Sequence, residues 1–222
     1  MNALSVIVPA VDAAPMLPAA LAAVGDGAEI IVVDGGSRDA TSAIAAAAGA
    51  RVVSTARGRG VQLAAGADAA QGAWLLFLHA DTVLGAGWRA DVKAFTADPA
   101  NRSRAAAFRF ALDDAAPQAR RLERMVAWRG RVLGLPYGDQ GVLIHRDFYR
   151  ALGGFRPLPL MEDVDLVRRI GRARLTILAT PAVTSAARWR RDGWLRRSLR
   201  NLTCLALYLA GVPPRLLVRV YE

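Results

Sequence analysis

The sequence predicts an α/β domain whose mainly parallel central sheet carries helices on both faces. Short, almost wholly apolar runs alternate with Ala-rich helical stretches over the first hundred residues. Runs that are apolar along their whole length belong to strands buried on both faces, as parallel strands are. The handedness of β-α-β crossovers then gives a doubly wound layer. A length of 222 residues, 54% of them hydrophobic, suits one large domain with a full-sized core.

In order, Leu4–Pro9 reads as the first strand and residues 15–24 as an Ala/Leu helix. Glu29–Asp34 (EIIVVD) is the second strand, followed by a helix over 39–48. Arg51–Ser54 is a third strand, with a helix over 60–70. Trp74–His79 (WLLFLH) is a fourth, and Trp88–Ala97 a helix. The second half is less regular. Strands are expected at Arg104–Leu112, Gly141–His145 and Leu175–Ala179, and helices at Pro117–Leu133 and Glu162–Arg172. From Trp189 onward the chain reads as helical, interrupted at Pro213 and Pro214. We take residues 1–190 as the main domain and 191–222 as a helical C-terminal extension packed on it.

Charge is unevenly distributed. Of 29 cationic residues only Lys93 is a lysine, and the net charge is +10. Residues 1–101 sum to −3 and residues 102–222 to +13. A basic half fits an anionic partner such as a nucleotide phosphate, a nucleic acid or an anionic membrane surface; a compositional bias toward Arg gives the same count. The single cysteine, Cys204, excludes a disulfide framework and a cysteine-cluster zinc site. The apolar run Leu202–Val212 is too short to cross a bilayer, and the start lacks a basic segment before its apolar run. A cytoplasmic location is expected, with peripheral contact at the inner membrane face through the basic-then-apolar stretch Trp194–Leu209 as an option.

Ligands of open parallel sheets bind beyond the carboxyl ends of the strands. The second strand ends there in Asp34-Gly35-Gly36-Ser37, the third leads to Arg57-Gly58-Arg59-Gly60, and the fourth ends in His79-Ala80-Asp81. Each alone reads equally as a turn, a solvated loop or a helix cap. Together they gather carboxylates, glycines and Arg at one crevice. The segment 9–15 has no glycine, which excludes the dinucleotide-binding fingerprint, and no Gly-Lys-Ser/Thr step occurs, which excludes a P-loop.

SVIVPA at Ser5–Ala10, IVVDGGSRDAT at Ile31–Thr41, FLHADT at Phe77–Thr82 and MEDVDLVRR at Met161–Arg169 together resemble family 2 glycosyltransferases of the GT-A fold, enzymes that use nucleotide-diphosphate sugars. Phe77–Thr82, Tyr137–Gly141 and Arg188–Gly193 resemble more narrowly a subgroup of small bacterial members associated with radical-SAM and selenium-domain genes or with arsenosugar biosynthesis. Two departures stand out. Asp12 and Ala13 replace the frequent Asn-Glu after the first strand, and Gly35 replaces the second Asp of the nucleotide motif.

The resemblance implies an inverting transferase that moves a sugar from a UDP- or GDP-sugar donor to a hydroxyl acceptor, either a small molecule or lipid-linked. By it, Pro9, Asp34, Gly35, Gly36 and Ser37 hold the nucleotide. Arg57 and Arg59 add positive charge beside the diphosphate. Asp81 binds Mn²⁺ or Mg²⁺, with His79 in place of the usual first Asp as either a ligand or a contact to the sugar. Asp163 is the catalytic base, oriented with the acceptor by Glu162. Asp139, Gln140, Arg188 and Trp189 line the donor and acceptor pocket. The carboxylates of Glu162–Asp165 equally fit a helix first turn, where acids complement the dipole. The competing readings are a metal-dependent nucleotidyltransferase, which lacks here the basic Gly-rich loop after the first strand, and a non-catalytic nucleic-acid binder. The latter has its arginines but no stacking series of aromatics, so no nucleic-acid partner is expected.

Overall fold

The structure, a computed structural model, describes residues 4–221. Its eight strands are β1 (Leu4–Ala10), β2 (Glu29–Asp34), β3 (Arg51–Ser54), β4 (Trp74–Phe77), β5 (Thr82–Leu84), β6 (Ala105–Leu112), β7 (Val142–His145) and β8 (Leu175–Thr184). They form one sheet in the order β3-β2-β1-β4-β7-β6-β8-β5. The half from β3 to β4 is parallel throughout. The other half is mixed. β7 runs antiparallel to both β4 and β6, β6 and β8 are parallel, and β5 is antiparallel to β8.

The helices are α1 (Leu17–Val24), α2 (Thr41–Ala47), α3 (Arg59–Ala69), α4 (Trp88–Ala97), α5 (Pro117–Leu133), α6 (Arg146–Ala151), α7 (Glu162–Ile170), α8 (Ala187–Asp192), α9 (Trp194–Leu209) and α10 (Pro214–Tyr221). Along β1 the side chains alternate between two cores. Val6 and Val8 pack with Leu17 and Leu21 of α1 and Val92 of α4. Ile7 packs on the opposite face with Leu63 and Ala67 of α3 and Leu166 of α7. Burial on both sides is why this strand carries no polar alternation. Gly66 lets α3 sit directly on the sheet, since a Cβ there would overlap Ile7 Cγ2 and lie 2.9 Å from Val33 Cγ2.

The differences from expectation have local causes. Trp74–His79 stops as a strand at Phe77, and a three-residue strand not expected from the sequence, β5, pairs with the end of β8. β8 continues past Ala179 to Thr184. Its register against β6 shifts between Ala107 and Arg109, an irregularity that admits Pro181, which has no N–H for the ladder. A further small core joins Met161, Val164 and Val167 to Cys204, Leu205 and Leu217, and so packs α9 and α10 against α7. Another joins Phe110, Leu122 and Val126 to Ala186 and Trp189, and holds α5 and α8 over β6.

Candidate active site

The carboxyl ends of the parallel strands open into a cleft of about 650 Å³ whose walls include Pro9, Asp12, Arg57, Arg59, Gln62, His79, Asp81 and Arg188. A second, tighter cavity, about 130 Å³, adjoins it and is lined by Tyr137, Asp139, Asp163, Thr184 and Trp189 together with Leu122, Met125 and Leu202. Arg59, His79, Asp81 and Arg188 line both. The wall between the two spaces therefore carries two guanidinium groups, an imidazole and a carboxylate.

The chain reaches this wall by specific local devices. Where β1 and β2 diverge, buried Gln62 of α3 donates to Ala10 O at 2.9 Å and to Val33 O at 2.8 Å. The β5–β8 pair brings Asp81 and Ser185 together, with Ser185 N donating to Asp81 O at 3.2 Å. That places Arg188, one turn further on in α8, over the same opening. Met161 has φ +64, and this left-handed residue turns the chain immediately before α7.

At the start of α7 the consecutive carboxylates diverge. Glu162 is fully buried, forms an ion pair with Arg59 and lines neither space. Burial pushes its carboxyl up, Arg59 pulls it down, and Asp163 adds to the rise. Asp163 lines the tighter cavity; its Oδ2 accepts from Gly138 N at 2.7 Å and its Oδ1 from Val164 N at 2.8 Å. A Cβ at Gly138 would lie 2.7 Å from His79 Nε2 and 3.2 Å from Asp163 Oδ2, so glycine is what lets the three groups meet.

Burial pulls the His79 imidazole down to about 4, helped by Arg59 and Arg188 and resisted by Asp81 and Asp163. It is neutral at physiological pH. Asp139 moves the other way: burial pushes its carboxyl up to about 7, Arg129 draws it down, and Asp163 and Asp81 push it up. Its Oδ1 is buried without a hydrogen-bond partner.

The shift at Asp139 has a stability consequence of definite sign. Its ordinary value is 3.8. As pH rises from there to about 7, the unfolded chain loses this proton while the folded one keeps it, so folding becomes less favourable. The Asp139→Asn protein should therefore gain thermal stability relative to the parent across that window, and the gain should level off above it. Melting curves across pH 4–8 check this, and a difference independent of pH would contradict it.

The other expected site residues lie outside these linings. Asp34 Oδ1 accepts from Ser37 N and Oγ at 2.9 and 2.6 Å, and Oδ2 accepts from Ser42 Oγ at 2.6 Å. Burial raises its carboxyl, but these hydrogen bonds outweigh it and hold the group below the usual range. Gly35 is buried, and a Cβ there would come within 2.8 Å of Val11 Cγ2 and 2.9 Å of the Gln62 amide. Gly36 is open to solvent. Gln140 is buried, and its Nε2 donates to Phe108 O at 2.9 Å, anchoring the loop to β6.

Gln62, Arg129 and Tyr137 were not singled out from sequence as site residues. Arg129 is buried, donates to Leu135 O at 2.9 Å and stacks 3.5 Å above the Tyr137 ring. A polar residue on the apolar stripe of α3 was the available signal for Gln62. Arg129 was hidden among the many arginines of α5.

The sequence profile described as glycosyl transferase family 2 matches residues 5–127, more than half of the chain. The chain belongs to that family. No curated protein matches it significantly. The transferase superposes on the crystal structure of S. aureus TarS 1–349 with a TM-score of 0.64 at 17% identity, over 98% of this chain and 69% of that one. It also superposes on glucosyl-3-phosphoglycerate synthase from Mycobacterium tuberculosis, solved in complex with Mn²⁺, uridine diphosphate and glucosyl-3-phosphoglycerate. There the TM-score is 0.61 at 21% identity, over 96% of this chain and 81% of that one. A further TarS structure, in complex with UDP-GlcNAc, gives a TM-score of 0.62 at 18% identity, over 82% of this chain and 58% of that one. The fold is thus the GT-A type, and the protein is a glycosyltransferase.

Proposed function

We propose that the open cleft holds a nucleotide-diphosphate sugar, UDP- or GDP-linked, and that the adjoining cavity holds a hydroxyl acceptor. The observation that carries this is the shared wall of Arg59, His79, Asp81 and Arg188. An inverting glycosyl transfer needs positive charge where the diphosphate departs and a carboxylate where the acceptor proton leaves, on opposite sides of one anomeric carbon. The structures bound to uridine diphosphate and to UDP-GlcNAc support a nucleotide donor for this fold.

In this reading Asp163 accepts the acceptor proton as the oxygen attacks the anomeric carbon from the face opposite the diphosphate, and the configuration inverts. Its two backbone donors fix the carboxylate in place, and geometry of that kind is worth more than basicity alone. Arg59 and Arg188 stabilise charge on the leaving diphosphate. Trp189 forms a wall of the acceptor side. The narrower bacterial subgroup remains part of the proposal, since its Tyr137–Gly141 and Arg188–Gly193 segments contribute Tyr137, Asp139, Arg188 and Trp189 to the cavity.

Among the described residues no group of three or more His, Cys, Asp or Glu side chains could hold a metal ion by itself. A hard cation of the Mg²⁺ or Mn²⁺ kind commonly takes one or two carboxylates plus phosphate oxygens. Asp81 on the shared wall and the unpartnered Oδ1 of Asp139 fit a cation that arrives with the diphosphate. Asp81 would hold it, with His79 beside it. Bound there, it would supply charge to the leaving group.

Calorimetric titration with uridine diphosphate, with and without Mn²⁺, tests the proposal. Binding should be strengthened by the metal. Asp81→Ala should abolish that gain and weaken binding by about tenfold or more, as expected for loss of at least ~1.4 kcal/mol of coordination. Binding that ignores both the metal and the substitution would sink the donor-site reading.

A further inference from the structure

We propose that the face formed by α5 and α9 docks on an anionic lipid bilayer, with the mouth of the tighter cavity opening onto the membrane surface. Except for Met16 and Ile177, the exposed large apolar side chains described all lie on α5, α9 or α10. On α9 they form one stripe: Leu195, Leu199, Leu202 and Leu209 are exposed at helical spacing, with exposed Ala206 between the last two. On α5, Met125, Trp128 and Val132 form a second stripe of the same kind. Leu195 is 73% exposed and Trp128 58%, far from the burial such residues usually reach.

The two stripes flank one opening. Met125 of α5 and Leu202 of α9 are both solvent-exposed and both line the cavity, so they form its rim. The occupant is identified by charge. Arg121, Arg124 and Arg131 border the α5 stripe and Arg196 borders that of α9. All four are exposed, and none of their side chains makes an ion pair or hydrogen bond among the described residues. The chain from Gly193 to Tyr221 contains no Asp or Glu. The only acid of α5, Glu123, is turned inward to Leu112 N and Arg120. A face that combines exposed leucines, an exposed Trp and unneutralised arginines matches the headgroup region of an anionic bilayer, where Trp settles at the interface and each cation near the surface adds to binding. No helix of the described residues is long and apolar enough to cross a membrane, so the contact is a surface one.

The test is sedimentation of the full chain with vesicles of equal parts phosphatidylglycerol and phosphatidylcholine, against phosphatidylcholine alone, at low ionic strength. The chain should bind the anionic vesicles and be released by salt. The Leu195→Glu/Leu199→Glu variant should lose about tenfold in partitioning per leucine removed. Arg121→Ala should lose about fivefold. Neither leucine lines the donor cleft, so uridine diphosphate affinity should be unchanged in the leucine variant; this control separates failure of docking from failure of the donor-site reading. Absence of wild-type binding to anionic vesicles overturns the proposal, as does equal binding of the variant. Light scattering that shows a dimer dissolved by the leucine substitutions also overturns it, by assigning the face to a second copy of the chain.

Discussion

The Asp163→Asn protein should bind uridine diphosphate as tightly as the parent while its turnover falls by about 10²–10⁴-fold, the usual contribution of a positioned base. The substitution is nearly isosteric, and Asn keeps one oxygen to accept from Gly138 N or Val164 N. Its amide nitrogen then faces the other backbone donor, so a modest loss of stability accompanies the loss of chemistry. Removing this negative charge also relieves Asp139, whose carboxyl should fall back toward its ordinary range. Steady-state kinetics with the donor identified by titration separate the two effects, because kcat should drop with donor affinity unchanged. Full activity in this variant would remove Asp163 from the chemistry.

Arg59→Ala should be the most destabilising single change at the site. It leaves Glu162, fully buried, without its ion-pair partner. Breaking a fully buried pair from one side costs about 3–5 kcal/mol; the Arg59 side chain is 35% exposed, which lowers the cost here to about 1–3 kcal/mol. For a domain of this size that corresponds to a fall in Tm of roughly 2–12 °C. The sign of the pH dependence follows from Glu162. Its carboxyl is already raised in the parent, and without Arg59 it rises further. The variant's deficit should therefore be greatest at neutral and alkaline pH and shrink on acidification, as the buried group takes up a proton. Adding Glu162→Gln should recover much of the stability but not nucleotide binding, since Arg59 also lines the donor cleft. Thermal melts of the single and double variants, paired with nucleotide titration, distinguish the two roles.

The first half of the fold was legible because its strands are apolar throughout and its crossovers are helical, and these two facts fix parallel pairing. β2 and β3 fall at the boundaries the residues imply, Glu29–Asp34 and Arg51–Ser54. The second half was legible only as separate elements. Nothing in VLIH at β7 tells that it enters the sheet between β4 and β6 in the opposite direction, because pairing is decided by distant partners. β5 is three residues long and exists only because β8 runs past Pro181 to meet it.

At the site, seven residues drawn from separate motifs, Arg59, His79, Asp81, Asp139, Asp163, Arg188 and Trp189, line one cavity. Sequence could not show which carboxylates are spoken for. Asp34 is occupied by Ser37 and Ser42, and Glu162 by Arg59. The basic excess was similarly opaque. Part of it is internal: Asp192 engages Arg191, Arg197 and Arg200, and Asp165 engages Arg156 and Arg169.

Glu162 meets Arg59 of α3 and Asp163 meets Gly138 N, so two consecutive residues tie two separate segments to the start of α7. Neighbouring Cα atoms are about 3.8 Å apart whatever the rest of the molecule does. The attachment points of the Arg59 ion pair and of the Asp163 carboxylate are thus one peptide unit apart in the chain. Variation in the exposed residues of α5 and α9 can remodel the mouth of the tighter cavity without touching those two attachment points.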